Sequence, residues 1–349
     1  MKALRQLVLF TFTLLLFSSS AQAQLIDYKK VRSFSVEDLK AYWKKMSIPQ
    51  IITKVKYPVD VYDVAYETEW IDGSRIKATG LYFVPVKPKK DAATLIYNHG
   101  TIVDPDREID FNGESTILRM FATDGYAVIA PDYVGLGGGD KQHLYHHAKT
   151  EAYAGIDFLK IVPEIDKAIG LKRNEQLFIT GYSQGGHATM AVHRELQNNH
   201  PNVNITATSP MSGAYDLSGV QSEIMEIEYS QPHYLPYLML GYTIAYDIYP
   251  MDEFYDTVFR SPWNEKIPGM FDGSMNRGEI NDALPKVPKD MMNEELYEQY
   301  ANDPDFFFKK LLEQNNMYDW KPEVPVQICY CENDEEVLSG NAKKAYEYF

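Results

Sequence analysis

Ser183 stands in the run Gly181-Tyr182-Ser183-Gln184-Gly185, with Leu177-Phe178-Ile179-Thr180 before it and a helix-prone stretch, Gly185 to Gln197, after it. A serine hydroxyl attacks a carbonyl when a sharp turn holds it clear of the backbone, and flanking glycines let that turn close. The first turn of a helix also aims unpaired N–H groups at negative charge growing on the carbonyl oxygen. A bare G-x-S-x-G run arises by chance; between a strand and a helix it reads as a nucleophile. His187, four residues on, reads as a packing or hydrogen-bonding residue.

Acyl transfer needs two backbone donors, one from the residue after the nucleophile and one from a loop that follows an earlier strand. Gln184 supplies the first, and Thr101, in Tyr97-Asn98-His99-Gly100-Thr101, supplies the second; His99 shapes the loop. The acid that orients a base belongs at the carboxyl end of a late strand. Asp334 fits, since Val324-Pro325-Val326-Gln327-Ile328-Cys329-Tyr330 leads into Cys331-Glu332-Asn333-Asp334. The order serine, acid, histidine then breaks, because the last histidine is His233. The expectation is a chain cut at Phe349 before the base is reached, and the rival is a relocated base, His233 or His147.

These residues need strands that end together and helices that begin there. Residues 59–70 alternate as a strand, Asp72-Gly73 turns it, and Ile76 to Val84 return. Short apolar runs follow at Thr94 to Tyr97, Ala127 to Ala130, Leu177 to Thr180, Ile205 to Ser209 and Val326 to Tyr330, separated by helical stretches at Ser115 to Ala122, Thr150 to Ile161 and Gly185 to Gln197. Continuous apolar strands between helices mean a mostly parallel sheet covered on both faces. The alternation stops near Val220 and resumes after Trp320. Between them lies a block rich in Tyr, Met and Pro, in which Leu238, Tyr242, Ala245 and Tyr249 recur at helical spacing. The division expected is a leader over 1–23, a core over 24–219, a helical cap inserted over 220–320, and a second part of the core over 321–349.

The formal net charge of -15 (34 Lys+Arg against 49 Asp+Glu) opposes contact with a phosphate backbone, so nucleic acid is excluded as a partner. The start, M-K-A-L-R, then an uncharged run from Leu7 to Phe17, then Ser18 to Ala23, has the form of a secretory leader cut after Ala23, for a secreted or periplasmic protein. That run is too short for a membrane span, and Pro232, His233 and Pro236 break up the other uncharged run, Tyr229 to Tyr246. Cys329 and Cys331, two apart in an extended run, read as core thiols. No metal or cofactor is expected. His143, His146 and His147 lack the H-E-x-x-H pattern of a zinc site, and Gly135 to Gly139, without a Gly-Lys-Ser/Thr, reads as a flexible loop.

Taken together, Y-N-H-G-T (Tyr97 to Thr101), G-Y-A-V-I-A-P-D-Y-V-G-L-G (Gly125 to Gly137), H-L-Y-H-H-A-K-T-E-A (His143 to Ala152), I-T-G-Y-S-Q-G-G-H-A (Ile179 to Ala188) and P-V-Q-I-C-Y-C-E-N-D (Pro325 to Asp334) resemble secreted lipases and esterases of the α/β-hydrolase superfamily. The resemblance runs from about Val59 to the end. It implies an α/β-hydrolase fold with an inserted lid, a carboxylester substrate of lipid or other acylated type, and a Ser-Asp-His triad of which Ser183 and Asp334 are present. A serine peptidase of the same fold, or a binding protein that kept the fold and lost the base, are the alternatives.

Overall fold

The structure, a computed structural model, describes residues 23–49, 51, 53–106 and 111–349. The expected leader, Ala23 apart, lies outside the described residues. Seven strands, β1 (Leu25–Phe34), β2 (Val59–Glu69), β3 (Arg75–Pro85), β4 (Ala92–Asn98), β5 (Tyr126–Pro131), β6 (Arg173–Tyr182) and β7 (Ala207–Met211), form one sheet in the order β1-β2-β3-β5-β4-β6-β7. The β2–β3 hairpin keeps an unbroken antiparallel register from Val59↔Pro85 to Glu69↔Arg75, as its Asp72-Gly73 turn requires. β1 lies antiparallel along the outer side of β2, and β3 meets β5 antiparallel. β5, β4, β6 and β7 then run parallel. The sheet is therefore mixed, and its parallel part carries Ser183.

Alternation along the parallel strands divides their side chains between two layers. Ile96, Ala127, Ile129, Leu177 and Ile179 pack with Ala152, Ile156 and Val162 of α3 (Ala148–Ile169) and Met190 and Val192 of α4 (Gln184–Asn199). Leu95, Tyr97, Val128 and Ala130 point the other way, onto Leu39 and Trp43 of α1 (Val36–Lys45) and Leu118 and Ala122 of α2 (Ser115–Asp124). Helices thus cover both faces, which is why Leu95–Tyr97 of β4 and Ala127–Ala130 of β5 are unbroken apolar runs. Charge inside the layers is paired: Asp157, fully buried, meets Arg75 (2.8 Å) and Lys160 (2.9 Å).

After β7 the chain forms α5 (Tyr234–Tyr246), α6 (Met251–Val258), α7 (Trp263–Lys266), α8 (Arg277–Ala283), α9 (Glu294–Asn302) and α10 (Phe307–Gln314). Their apolar residues, among them Leu235, Tyr242, Phe254, Ile280 and Phe308, make a core of their own. Among the described residues no helix is long and apolar enough to cross a membrane. A last helix, α11 (Gly340–Tyr348), follows the Asp334 turn.

Two expectations are corrected. The run 324–330 joins the sheet only through single parallel bridges, Thr208↔Val326 and Met211↔Cys329, and among the described residues no strand pairs with its other side. Cys329 is accordingly half-buried and Cys331 exposed, and they are not two core thiols. Gly135 to Gly139 is a fixed turn: Gly137 N–H donates to the Pro105 carbonyl (2.9 Å) and Gly139 N–H to that of Leu136 (3.0 Å). At Gly135 (φ 81°) an added Cβ would lie 2.2 Å from the His143 nitrogen, so the glycine serves close packing rather than flexibility.

Candidate active site

β6 ends at Tyr182 and α4 begins at Gln184, leaving Ser183 to make the whole turn. Its backbone sits at φ 58°, ψ -120°, a region that side chains avoid and that persists where the surroundings impose it. The Ser183 N–H donates to the Met211 carbonyl (3.0 Å), and its own carbonyl accepts from the Gly186 N–H (2.8 Å). The glycines are sterically required. A Cβ at Gly185 would fall 1.9 Å from the Asn98 carbonyl oxygen, one at Gly181 would fall 2.5 Å from the same atom, and one at Gly186 would fall 2.5 Å from the Met211 oxygen.

The same close packing brings the loop after β4 against the turn. A Cβ on Gly100 would lie 3.7 Å from Cβ of Ser183, which puts the Gly100-Thr101 turn beside Ser183. Glu114 holds this loop: its carboxylate accepts from the Gly100 N–H (3.2 and 3.3 Å) and from the Tyr97 hydroxyl (3.0 Å). Gly100 is thereby committed, whereas the N–H groups of Thr101 and Gln184 have no hydrogen-bond partner among the described residues. The Thr101 hydroxyl pairs with that of Tyr145 (2.9 Å). Two open donors thus flank one serine, the arrangement an oxyanion needs.

Beside Ser183 opens a pocket of about 60 Å³ walled by apolar side chains, among them Ala214, Leu217, Ile224, Leu235 and Phe308. His146, Glu336 and Val337 also face it. Burial pushes the His146 imidazole well below its usual range, and the neighbouring His187 and His143 rings add to that shift. The Asp334 turn reaches the same rim. Its Oδ1 accepts from the N–H groups of Glu336 (3.0 Å) and Val337 (2.9 Å), which fixes the carboxyl. Glu336 in turn accepts from the Tyr234 hydroxyl (2.9 Å). The Tyr182 hydroxyl is raised above its ordinary range, first by burial and then by the charges of Asp334 and Glu336.

Among the described residues no histidine bonds to Ser183 or Asp334. His233 is buried against Asn281 (2.8 Å), and His147 pairs with Thr150 (3.1 Å). Both ring nitrogens of His99 contact carbonyls, those of Gly100 (2.6 Å) and Asp132 (3.2 Å). His187 lies between Glu151 (2.7 Å) and the Asn315 carbonyl (2.8 Å), as a hydrogen-bonding residue should. His146, Glu151 and His187 have potential ligand atoms within 4.8 Å of one another. Both oxygens of Glu151 and both nitrogens of His187 are already engaged in hydrogen bonds, so a cation would have to break them.

Sequence reasoning missed Glu114 and Glu151. Glu151 carried a usable signal, since it falls on the inward stripe of α3 with Ala148, Ala152 and Gly155, where an acid must have a partner. Glu114 carried none, because its contact with Gly100 arises only in the fold.

The strand order, the serine turn and the inserted helices define an α/β-hydrolase fold. Residues 108–237 match the family model for secretory lipases. Among solved structures, the chain superposes on a putative hydrolase from Legionella pneumophila with a TM-score of 0.83 at 27% identity, covering 93% of this chain and 88% of that one. The rice cell wall degrading esterase LipA from Xanthomonas oryzae gives 0.83 at 24% identity (93% and 87%), and Candida antarctica lipase A gives 0.67 at 14% identity (93% and 73%). A comparison with curated proteins gave no match. The resemblance to secreted lipases and esterases thus holds in both the family match and the fold.

Proposed function

We propose that this chain is an exported serine hydrolase that cleaves carboxylic esters of lipids or other acylated compounds. The observation that carries the reading is the strained Ser183 turn with two unpartnered N–H groups and an apolar pocket beside it. The Ser183 hydroxyl adds to the ester carbonyl, and the N–H groups of Gln184 and Thr101 receive the oxyanion. The alcohol then leaves with a proton, and water releases the acyl group from the serine. Asp334 orients the imidazole that carries the proton. Among the described residues His99, His147, His187 and His233 are tied to other partners, whereas His146 lines the Ser183 pocket with its Nδ1 unpartnered. The helices between 220 and 320 act as a cap whose apolar side holds the acyl chain, and the leader is cut after Ala23.

The likeness in fold to an esterase and a lipase supports an ester over a peptide substrate. A panel of p-nitrophenyl esters from acetate to palmitate, run beside peptide anilides, tests this. Ester cleavage without anilide cleavage is expected, and the reverse would install the peptidase reading. Sequencing the amino terminus of the exported protein should begin at Gln24.

A further inference from the structure

Behind the nucleophile lies a run of hydrogen bonds with no part in the steps above. The Gln184 amide nitrogen donates to Glu151 Oε1 (2.8 Å) and to His143 Nε2 (2.8 Å). Glu151 Oε2 meets His187 Nδ1 at 2.7 Å, and His187 Nε2 meets the Asn315 carbonyl at 2.8 Å. His143 Nδ1 meets the Val134 carbonyl at 2.9 Å. A carbonyl can only accept, so His187 Nε2 and His143 Nδ1 both carry protons, and His143 Nε2 is free to accept from Gln184. One proton remains to be placed, between Glu151 and His187. The Gln184 N–H donates to the carboxylate, the Asn315 carbonyl accepts from the imidazole, and the 2.7 Å contact between the two has the length of a charge-assisted hydrogen bond.

We propose that Glu151 and His187 form an ionised pair that positions Gln184, and through it the backbone N–H that receives the oxyanion. This rests on the roles given to Ser183 and Gln184 above. The peptide that points the Gln184 N–H is set by ψ of Ser183, the strained angle of the turn, and such an angle holds only where neighbours over-determine it. The glycines fix the backbone from one side. The Gln184 side chain, anchored to α3 through Glu151 and to the loop before α3 through His143, fixes it from the other. Charge-assisted bonds are the stiffer anchor. Asn315 directly follows α10, so the pair also ties the last cap helix to α4. Glu151 and His187 are positioning residues and touch no substrate.

The test uses the full chain with 15N-labelled histidine. His187 should show both ring nitrogens protonated, and in Glu151→Gln its Nδ1 should lose its proton and accept from the new amide. That variant keeps every hydrogen bond and loses only the charge. Its kcat on a p-nitrophenyl ester should fall about tenfold, with KM unchanged. If Glu151→Gln does not fold, Gln184→Met removes the amide that the pair grips and should give the same split. An unprotonated His187 Nδ1 in the wild type, a wild-type kcat in the folded variant, or a change confined to KM would overturn the proposal. Should the wild type show no Ser183-dependent turnover, the proposed function fails separately. The pair is then decided by the His187 nitrogen shifts alone.

Discussion

Replacing Ser183 by glycine should make the protein more stable while abolishing its proposed activity. The residue sits at φ 58°, ψ -120°, where a Cβ is unfavourable, and such conformations cost about 1–3 kcal/mol. Glycine enters this region freely but adds freedom to the unfolded chain, a loss of about 0.5–1 kcal/mol. The Ser183 hydroxyl has no hydrogen-bond partner among the described residues, so its removal breaks nothing else. The net gain centres on about 1 kcal/mol. With an unfolding entropy of about 2.1 cal/mol/K per residue over 349 residues, one kcal/mol moves the melting temperature by about 1.4 °C, so the rise amounts to about 1–2 °C. Ser183→Ala is the control, because it deletes the same hydroxyl and keeps the strained Cβ; its stability should stay within about 0.5 kcal/mol of wild type. Urea unfolding of the three proteins, with ester turnover measured alongside, separates strain from chemistry. If Ser183→Gly is no more stable than Ser183→Ala, the turn stores no strain and the argument from its geometry fails.

Gly185→Ala should destabilise by about 2–3 kcal/mol and remove turnover, because the new Cβ meets the Asn98 carbonyl oxygen at 1.9 Å and that obstacle is backbone; denaturant unfolding checks it. Stability should also fall in acid well before the carboxylates titrate. Burial lowers His143, His147, His193 and His233 to about 4, so they are neutral in the folded state near pH 6.5, while their unfolded counterparts take up protons as pH drops. Their stabilisation is complete above about pH 6.5 and is lost as pH falls toward 4, at up to about 1.4 kcal/mol per pH unit for each ring. Urea midpoints at pH 7, 6 and 5 should decline progressively, and a flat profile would contradict the burial of these rings.

Much of this architecture was legible because burial writes itself into residue patterns. The apolar runs of β4, β5 and β6 are enclosed on both faces, and the glycines around Ser183 are fixed by backbone contacts. β1 escaped because it is an outer strand, Leu-Ile-Asp-Tyr-Lys-Lys-Val-Arg-Ser-Phe, whose pairing with β2 is irregular in two places and whose side chains are mostly exposed. α1 was readable in principle, since Ser35 and Asp38 form a capping box. The run 324–330 misled in the other direction: apolar composition resembles an enclosed strand, but only two bridges hold it. The candidates Ser183, Gln184, Thr101 and Asp334 are read from local motifs. The Glu151–His187 contact is not, because it depends on how α3 packs against α4.

The most direct test of the central claim is hydrolysis of p-nitrophenyl butyrate by the wild type and by Ser183→Ala, each with and without added imidazole. Turnover by the wild type that is absent from Ser183→Ala under both conditions is the predicted result. Turnover that survives in Ser183→Ala would contradict the assignment of Ser183 as nucleophile.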